Sequence, residues 1–270
     1  MLSEGNWKSL ITFYENQPWE KLQVLAARAQ GVKTVGIQTT NFSRYYLSYA
    51  LGKGERERMP LPDRIGSSGS SAHQLLLDCG SPAEVIKRCG ALRYGDLLRG
   101  ENRNGSNRLV REGQTQVLVV LSIDPVLSRH LLEGLAEAFP DGGEGDGLSF
   151  TIRPHPMYPV PASWVRFPAK MTGSGFTGFR ESLSRCDLVL FTASTVGFEA
   201  QAEGKPALRY RSPRLFDVDD LYGSHLPVVT DSNLREAVLK PAAAHPDNLS
   251  WISDFFAPVD HGQLQEIFRW

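Results

Sequence analysis

Apolar residues along this chain fall into two patterns that take turns. Short continuous runs predict buried strands, and stretches with an apolar residue every three or four positions predict helices. Residues 9–14 (SLITFY) read as a strand closed by Glu15-Asn16-Gln17. Pro18 opens a helix at the first-turn position that proline favours, and Trp19, Leu22, Leu25 and Ala26 form its apolar stripe. Gly31 ends that helix and residues 34–37 make the next strand, so 9–38 is a βαβ unit. Residues 41–58 read as a loop with a short helix. A strand at 64–67, a helix at 70–78 and a strand at 85–89 follow.

A second series begins after a polar, glycine-rich stretch, Arg99 to Asn107, which reads as a linker. It has strands at 116–122, 149–153, 187–191, 207–210 and 227–230. Helices are expected at 125–139, 177–186, 196–202 and 232–239, with a terminal amphipathic segment at 262–270. Strands alternating with helices predict an α/β protein with parallel sheets. The expected division is 1–95 for a first domain with few strands, 96–114 for the linker and 115–270 for a second, complete nucleotide-fold-like domain.

Candidate chemistry collects where strands end, because α/β folds bind ligands beyond the carboxyl ends of their strands. In 184–210 the run Asp187 to Phe191 gives way to Thr192-Ala193-Ser194-Thr195 and then to a helical period. Hydroxyls, free backbone N–H groups and the positive helix end would meet there, which suits a phosphate. Glu199, about one turn on, is placed to reach ribose hydroxyls. A plain N-cap at Ser194 and a solvated Glu199 fit the segment equally well. Arg153-Pro154-His155-Pro156 closes another strand, with two prolines fixing the backbone around one imidazole, so His155 can donate to a phosphate or leaving group. Glu15 is a candidate general base at the first strand end, or else a brace for the Pro18 helix. Gly66-Ser67-Ser68-Gly69-Ser70-Ser71 lacks the lysine of a phosphate loop and reads as a capping turn. Asp217, Asp219 and Asp220 match no calcium loop and read as an acidic turn.

Composition narrows the field. The 270 residues carry a formal net charge of −1, which gives no bulk attraction to nucleic acid. Three cysteines without metal spacing point to a reducing compartment, and no run approaches the length of a spanning helix. There is no GxSxG, HExxH or CxxC, so hydrolase, zincin and redox readings have no support.

The strand end Arg153-Pro154-His155-Pro156 and the segment from Cys186 to Pro206 (CDLVLFTASTVGFEAQAEGKP) resemble the C-terminal donor domain of GT-B-fold glycosyltransferases. Tyr14-Glu15-Asn16-Gln17-Pro18-Trp19-Glu20-Lys21 is similar to bacterial enzymes of surface carbohydrate biosynthesis, including lipopolysaccharide and capsule. The His-Pro and Ser-Thr pairs also resemble the HP and SS motifs of sialyl- and Kdo transferases, which use CMP-sugars. The resemblance runs from about residue 9 to 210. It implies a GT-B-like fold of two Rossmann-like domains, the N-terminal one incomplete because several βα units usually precede the strand matching 9–14.

The implied activity is glycosyl transfer from a nucleotide sugar, CMP-linked by the motifs, with UDP or GDP open because the pair is Ser-Thr. The acceptor is a glycan or lipid-linked glycan, and the donor lies in a cleft between the domains. Donor contacts fall on Arg153, His155, Ser194, Thr195 and Glu199, with His155 and Glu15 in catalytic roles and no metal or other cofactor. A cytoplasmic site, peripheral at the inner membrane face, is expected. A sugar-nucleotide epimerase, a glycerophosphotransferase and a non-catalytic binding remnant are the alternatives.

Overall fold

A computed structural model describes residues 7–40, 43–94, 113–173, 178–218, 224–241 and 250–269. The expected linker lies almost wholly outside these residues, as do Asp219 and Asp220. The chain divides into two compact units, one of Met1–Gly100, Val218–Ser224 and Ser250–Trp270, the other of Glu101–Asp217 and His225–Leu249. Each unit is an α/β layer structure with a parallel sheet, which is the expected fold class.

In the first unit, β1 (Ser9–Phe13), β2 (Lys33–Ile37), β3 (Arg64–Ser67) and β4 (Ile86–Arg88) lie side by side in that order, all parallel. Helix α1 (Pro18–Ala29) joins β1 to β2, and α2 (Ser70–Asp78) joins β3 to β4. The residues of α1 that pack inward are Glu20, Val24 and Ala27. The expected stripe is on the other side, with Trp19, Leu22 and Leu25 at least half exposed and Ala26 also exposed. The reason lies at the helix start. The Glu20 carboxylate accepts from the backbone N–H groups of Glu15 (2.9 Å) and Gln17 (3.1 Å). Turning Glu20 inward satisfies two backbone donors just ahead of the helix, one of them on the N-cap Gln17, and Val24 and Ala27 follow one and two turns along. Residues 43–58 form turns rather than the short helix expected, with Glu55 accepting from Gly52 N–H at 2.6 Å.

The second unit has six parallel strands in the order β10-β9-β8-β5-β6-β7. These are β5 (Thr115–Val120), β6 (Leu148–Arg153), β7 (Lys170–Met171), β8 (Leu188–Phe191), β9 (Ala207–Tyr210) and β10 (Val228–Val229). Helices α3 (Pro125–Ala138), α4 (Phe179–Ser184), α5 (Val196–Ala202) and α6 (Leu234–Leu239) connect them. One sheet face supplies Val117, Val119, Phe150, Ile152, Leu188 and Leu190 to a core closed by Leu131, Leu135 and Phe139 of the α3 region. The order runs outward in both directions from β5, so the connection reverses between β5 and β8, the switch point where open α/β sheets bind ligands.

The end of the chain departs from the expected division. Helices α7 (Ser250–Phe255), which the pattern did not mark, and α8 (His261–Ile267) return to the first unit, whereas the expected division placed this stretch in the second. Ile267 packs with Val35, Ile37 and Cys89 on the sheet face opposite α2, a face that the first unit's own connections leave open. The serine-rich turn after β3 receives the end of α7 and the residues that follow it. Ser68 Oγ donates to Phe255 O (2.7 Å), Ser70 Oγ to Asp254 (2.8 Å), and Ala257 N–H to Ser68 O (2.9 Å). A Cβ at Gly69 would sit 2.4 Å from Asp254 O, so glycine is required there by close approach. The turn therefore starts α2 and seats the returning chain. Among the described residues no helix is long and apolar enough to cross a membrane.

Candidate functional site

The candidate site lies at the carboxyl edge of the second sheet, at the ends of β5, β6 and β8. Val120, Arg153 and Phe191 stand level across β5, β6 and β8. His155 lies two residues beyond that line, and Ser194 lies three beyond it. β6 and β8 flank β5, so their ends are two strand spacings apart, about 10 Å.

At the end of β6, His155 pairs back on Tyr158 in a tight turn, with Tyr158 N–H donating to His155 O at 3.1 Å. Met157 N–H donates to His155 Nδ1 at 3.2 Å. An Nδ1 that accepts leaves the proton on Nε2, so Nε2 of this half-buried ring is a donor. Burial pulls the imidazole pKa below its ordinary value, which keeps the ring neutral near pH 7.

At the end of β8, Thr192 to Thr195 form the turn into α5. Ser194 Oγ accepts from Val196 N–H at 3.2 Å. Within α5, Gly197 faces β8, and a Cβ there would meet Phe191 Cζ at 2.3 Å, so the glycine lets the helix start directly against the strand. Val196, Gly197, Phe198, Ala200, Gln201 and Ala202 are all buried, and Glu199 is the half-buried polar position of the helix. Ser194 and Thr195 are half-buried as well.

The helix starts on either side of the switch point differ. Asp124 caps α3, its carboxylate accepting from Val126 N–H (2.7 Å) and Leu127 N–H (3.3 Å). That helix end already holds a negative group. At α5, whose N-cap is Thr195, the N–H of Val196 is taken by the neutral hydroxyl of Ser194. The hydroxyl of Thr192, 2 % exposed and just past the end of β8, has no hydrogen-bond partner among the described residues. Sequence reasoning placed Thr192 in the turn that breaks the strand but gave it no role of its own. The available signal was a hydroxyl-bearing β-branched residue closing the apolar run of β8. It also passed over Ser212, whose Oγ meets His130 Nδ1 at 2.8 Å beyond β9.

Arg153 is placed differently from His155. It shares a sheet face with Thr151, is 6 % exposed, donates to Ser182 Oγ at 3.3 Å and lies 5.7 Å from the centre of the Phe179 ring. Its side chain lines a cavity of about 510 Å³ between the sheet face and α4, walled also by Gln116, Thr151, Lys170 and Arg185. This cavity lies along the sheet face rather than over Ser194. Asp217, one of the acidic residues, is engaged in an ion pair with the buried Arg209 of β9.

In the first unit, Glu15 and Asn16 follow β1, and Gln38 to Thr40 follow β2. Thr40 Oγ1 donates to Glu15 Oε1 at 3.2 Å. Asn16 is the one non-glycine residue with positive φ among those described, at 54°. It is buried, with Nδ2 donating to Ser48 O at 2.5 Å. Tyr49 OH donates to Tyr14 O at 3.2 Å. The turn carrying Glu15 is therefore held at Tyr14, Asn16 and Gln17, while the bracing role falls to Glu20.

No family model matches the chain, and no curated protein matches it in sequence. Solved structures do match in fold. MnaA of S. aureus, seen with UDP, aligns with a TM-score of 0.60 at 14% identity over 95% of this chain and 71% of its own. The UDP-GlcNAc 2-epimerase of Neisseria meningitidis bound to UDP-GlcNAc gives 0.56 at 14% identity over 92% and 71%. Anabaena Alr3699/HepE in complex with UDP and glucose gives 0.55 at 15% identity over 95% and 76%. At this identity the likeness is one of fold, and it carries across the two units. The chain has a GT-B-like fold, with parallel α/β units like those of proteins that bind nucleotides and nucleotide sugars.

Proposed function

We propose that the second unit binds a nucleotide sugar at the carboxyl edge of its sheet and that the chain transfers the sugar to a glycan or lipid-linked glycan. The observation that carries this reading is the convergence of oriented donors at one edge. His155 and Ser194-Thr195 end strands on either side of β5, and His155 Nδ1 and Ser194 Oγ are each held by a backbone N–H. In this reading His155 Nε2–H, Ser194 and Thr195 contact the donor phosphates, and Glu199 takes the ribose hydroxyls. Arg153 supports the edge through the strand that carries His155. Fixed neutral donors aimed at a phosphate gain strength as leaving-group charge builds, which is how such an edge would lower a barrier. Glu15, on the first unit, is assigned the proton of the acceptor hydroxyl.

For the nucleotide, the fold relatives favour UDP over the CMP that the short motifs suggest, since MnaA and HepE are seen with UDP and the epimerase with UDP-GlcNAc. The epimerase of that group also supports a second reading, a UDP-sugar epimerase, which would turn over its nucleotide sugar with no acceptor present.

Calorimetric titration with UDP, CDP, CMP and GDP tests the site apart from any turnover. UDP should bind. The double substitution Ser194→Ala, Thr195→Ala should weaken it roughly 10- to 100-fold, the loss of one or two hydrogen bonds to a charged group. Unchanged affinity in a folded double variant would sink the assignment, and binding of CMP alone would return the donor to the CMP-sugars.

A further inference from the structure

The described surface of the first unit has one conspicuous apolar region, at the β1 edge of its sheet. β1 pairs with β2 and, among the described residues, with no other strand. Its sequence, SLITF, contains no charged residue and no proline, the usual devices that blunt a free edge. Ile11 and Phe13 lie on the face shared with Val35 and Ile37 and are 56% and 66% exposed. Beside the strand, Trp7 is 55% exposed, and α1 turns Trp19 (59%), Leu22 (67%) and Leu25 (50%) outward. Taking about 150–250 Å² for a whole aromatic side chain and less for an aliphatic one, these six residues present on the order of 600 Å². That reaches the top of the range for the largest apolar patch on an ordinary monomer, about 300–600 Å².

We propose that this edge is the surface through which two copies of the chain associate, β1 against β1 about a two-fold axis normal to the sheet. Such an axis keeps each sheet face with its own counterpart. Ile11 and Phe13 then meet their mates on one face, α1 meets α1 on the other, and the unpaired backbone groups of the two strands satisfy each other. The side chains alone bring together about 1,200 Å² from two copies, the lower bound of a stable interface, before backbone and helix stems are counted. The contact is isologous, so it closes at two copies instead of propagating.

Sedimentation of the full chain tests this. The unsubstituted protein should run at the mass of two chains, and Phe13→Glu with Leu22→Glu should run at the mass of one with unchanged far-UV dichroism. A single-chain mass for the unsubstituted protein at every concentration overturns the proposal and leaves the edge to a different polypeptide. A two-chain mass that survives the double substitution also overturns it. Should the double variant fail to fold, amide hydrogen exchange of the unsubstituted chain decides. Protection of β1 that rises with protein concentration upholds the pairing, and protection independent of concentration refutes it.

Discussion

Glu20 sits 6% exposed beneath the start of α1, and its carboxylate receives two backbone N–H groups at 2.9 and 3.1 Å. Replacing it by alanine leaves the amides of Glu15 and Gln17 without their acceptor in a half-buried turn. Each charge-assisted bond contributes about 1.5–3 kcal/mol, and water entering the space left by the side chain would recover part of that. A loss of about 2–4 kcal/mol is therefore expected for Glu20→Ala. Glu20→Gln keeps one acceptor oxygen in place and gives up the charge and its interaction with the helix dipole, so a loss of about 1 kcal/mol is expected. Urea unfolding followed by far-UV dichroism measures both, read as a shift in midpoint at constant slope. Glu20→Ala within about 0.5 kcal/mol of the unsubstituted chain would refute the claim that this carboxylate, rather than an apolar stripe, sets the facing of α1.

Gly69→Ala places a methyl group 2.4 Å from Asp254 O, at a φ of −168° that any residue adopts, so its cost is steric alone. A destabilisation of about 1–3 kcal/mol is expected in the same assay, with faster proteolysis of the segment from Ser250 onward. Equal stability and equal cleavage would show that the returning segment is not seated on this turn. His73 and His155 both have imidazole pKa values lowered by burial. The unfolded chain then binds more protons than the folded one once pH falls through the unfolded value of about 6.5. Their contribution to stability is complete above that pH and is lost as pH falls toward the folded values. The urea midpoint should drop between about pH 7.5 and 5.5, and His73→Gln with His155→Gln should flatten the drop. The carboxylates of Glu133 beside Arg129, and of Asp141 under the Gly145 and Gly143 amides, are held low and titrate below this window. A midpoint that rises on acidification would contradict the assignment.

Much of the element order can be read along the chain because strands such as β2, β8 and β9 are buried on both faces and stand out as apolar runs. β3, α2, α5 and β9 have the bounds their patterns predict, each closed by a glycine, a hydroxyl turn or a Gly-Lys-Pro stop. The face α1 buries is not legible in the same way. Periodicity marks Trp19, Leu22 and Leu25 as one side of a helix but does not reveal that a carboxylate with two donors to satisfy outweighs them. The return of α7 and α8 is a long-range event, prepared by the small residues at Gly69 and Ser68, which by themselves read as an ordinary turn. At the second sheet edge, His155 and Ser194 take the strand-end positions their flanking residues suggest. Arg153 shows the limit of that reasoning, since alternation along β6 sends its side chain to the sheet face under α4.

The seating of α7 and α8 on the first sheet also bears on how the protein is made. A ribosome finishes β4 at Arg88 and reaches Ser250 only ~160 residues later, some 10–30 s at ordinary synthesis rates. Throughout that interval the strand face bearing Val35, Ile37 and Cys89 lacks its cover, and by its end the second unit has everything it needs to fold. The first part of the protein to be synthesised is thus the last to be completed. A premature stop near residue 249 would take away no part of the second unit, yet it would leave the first unit open and exposed to holdase chaperones and proteases.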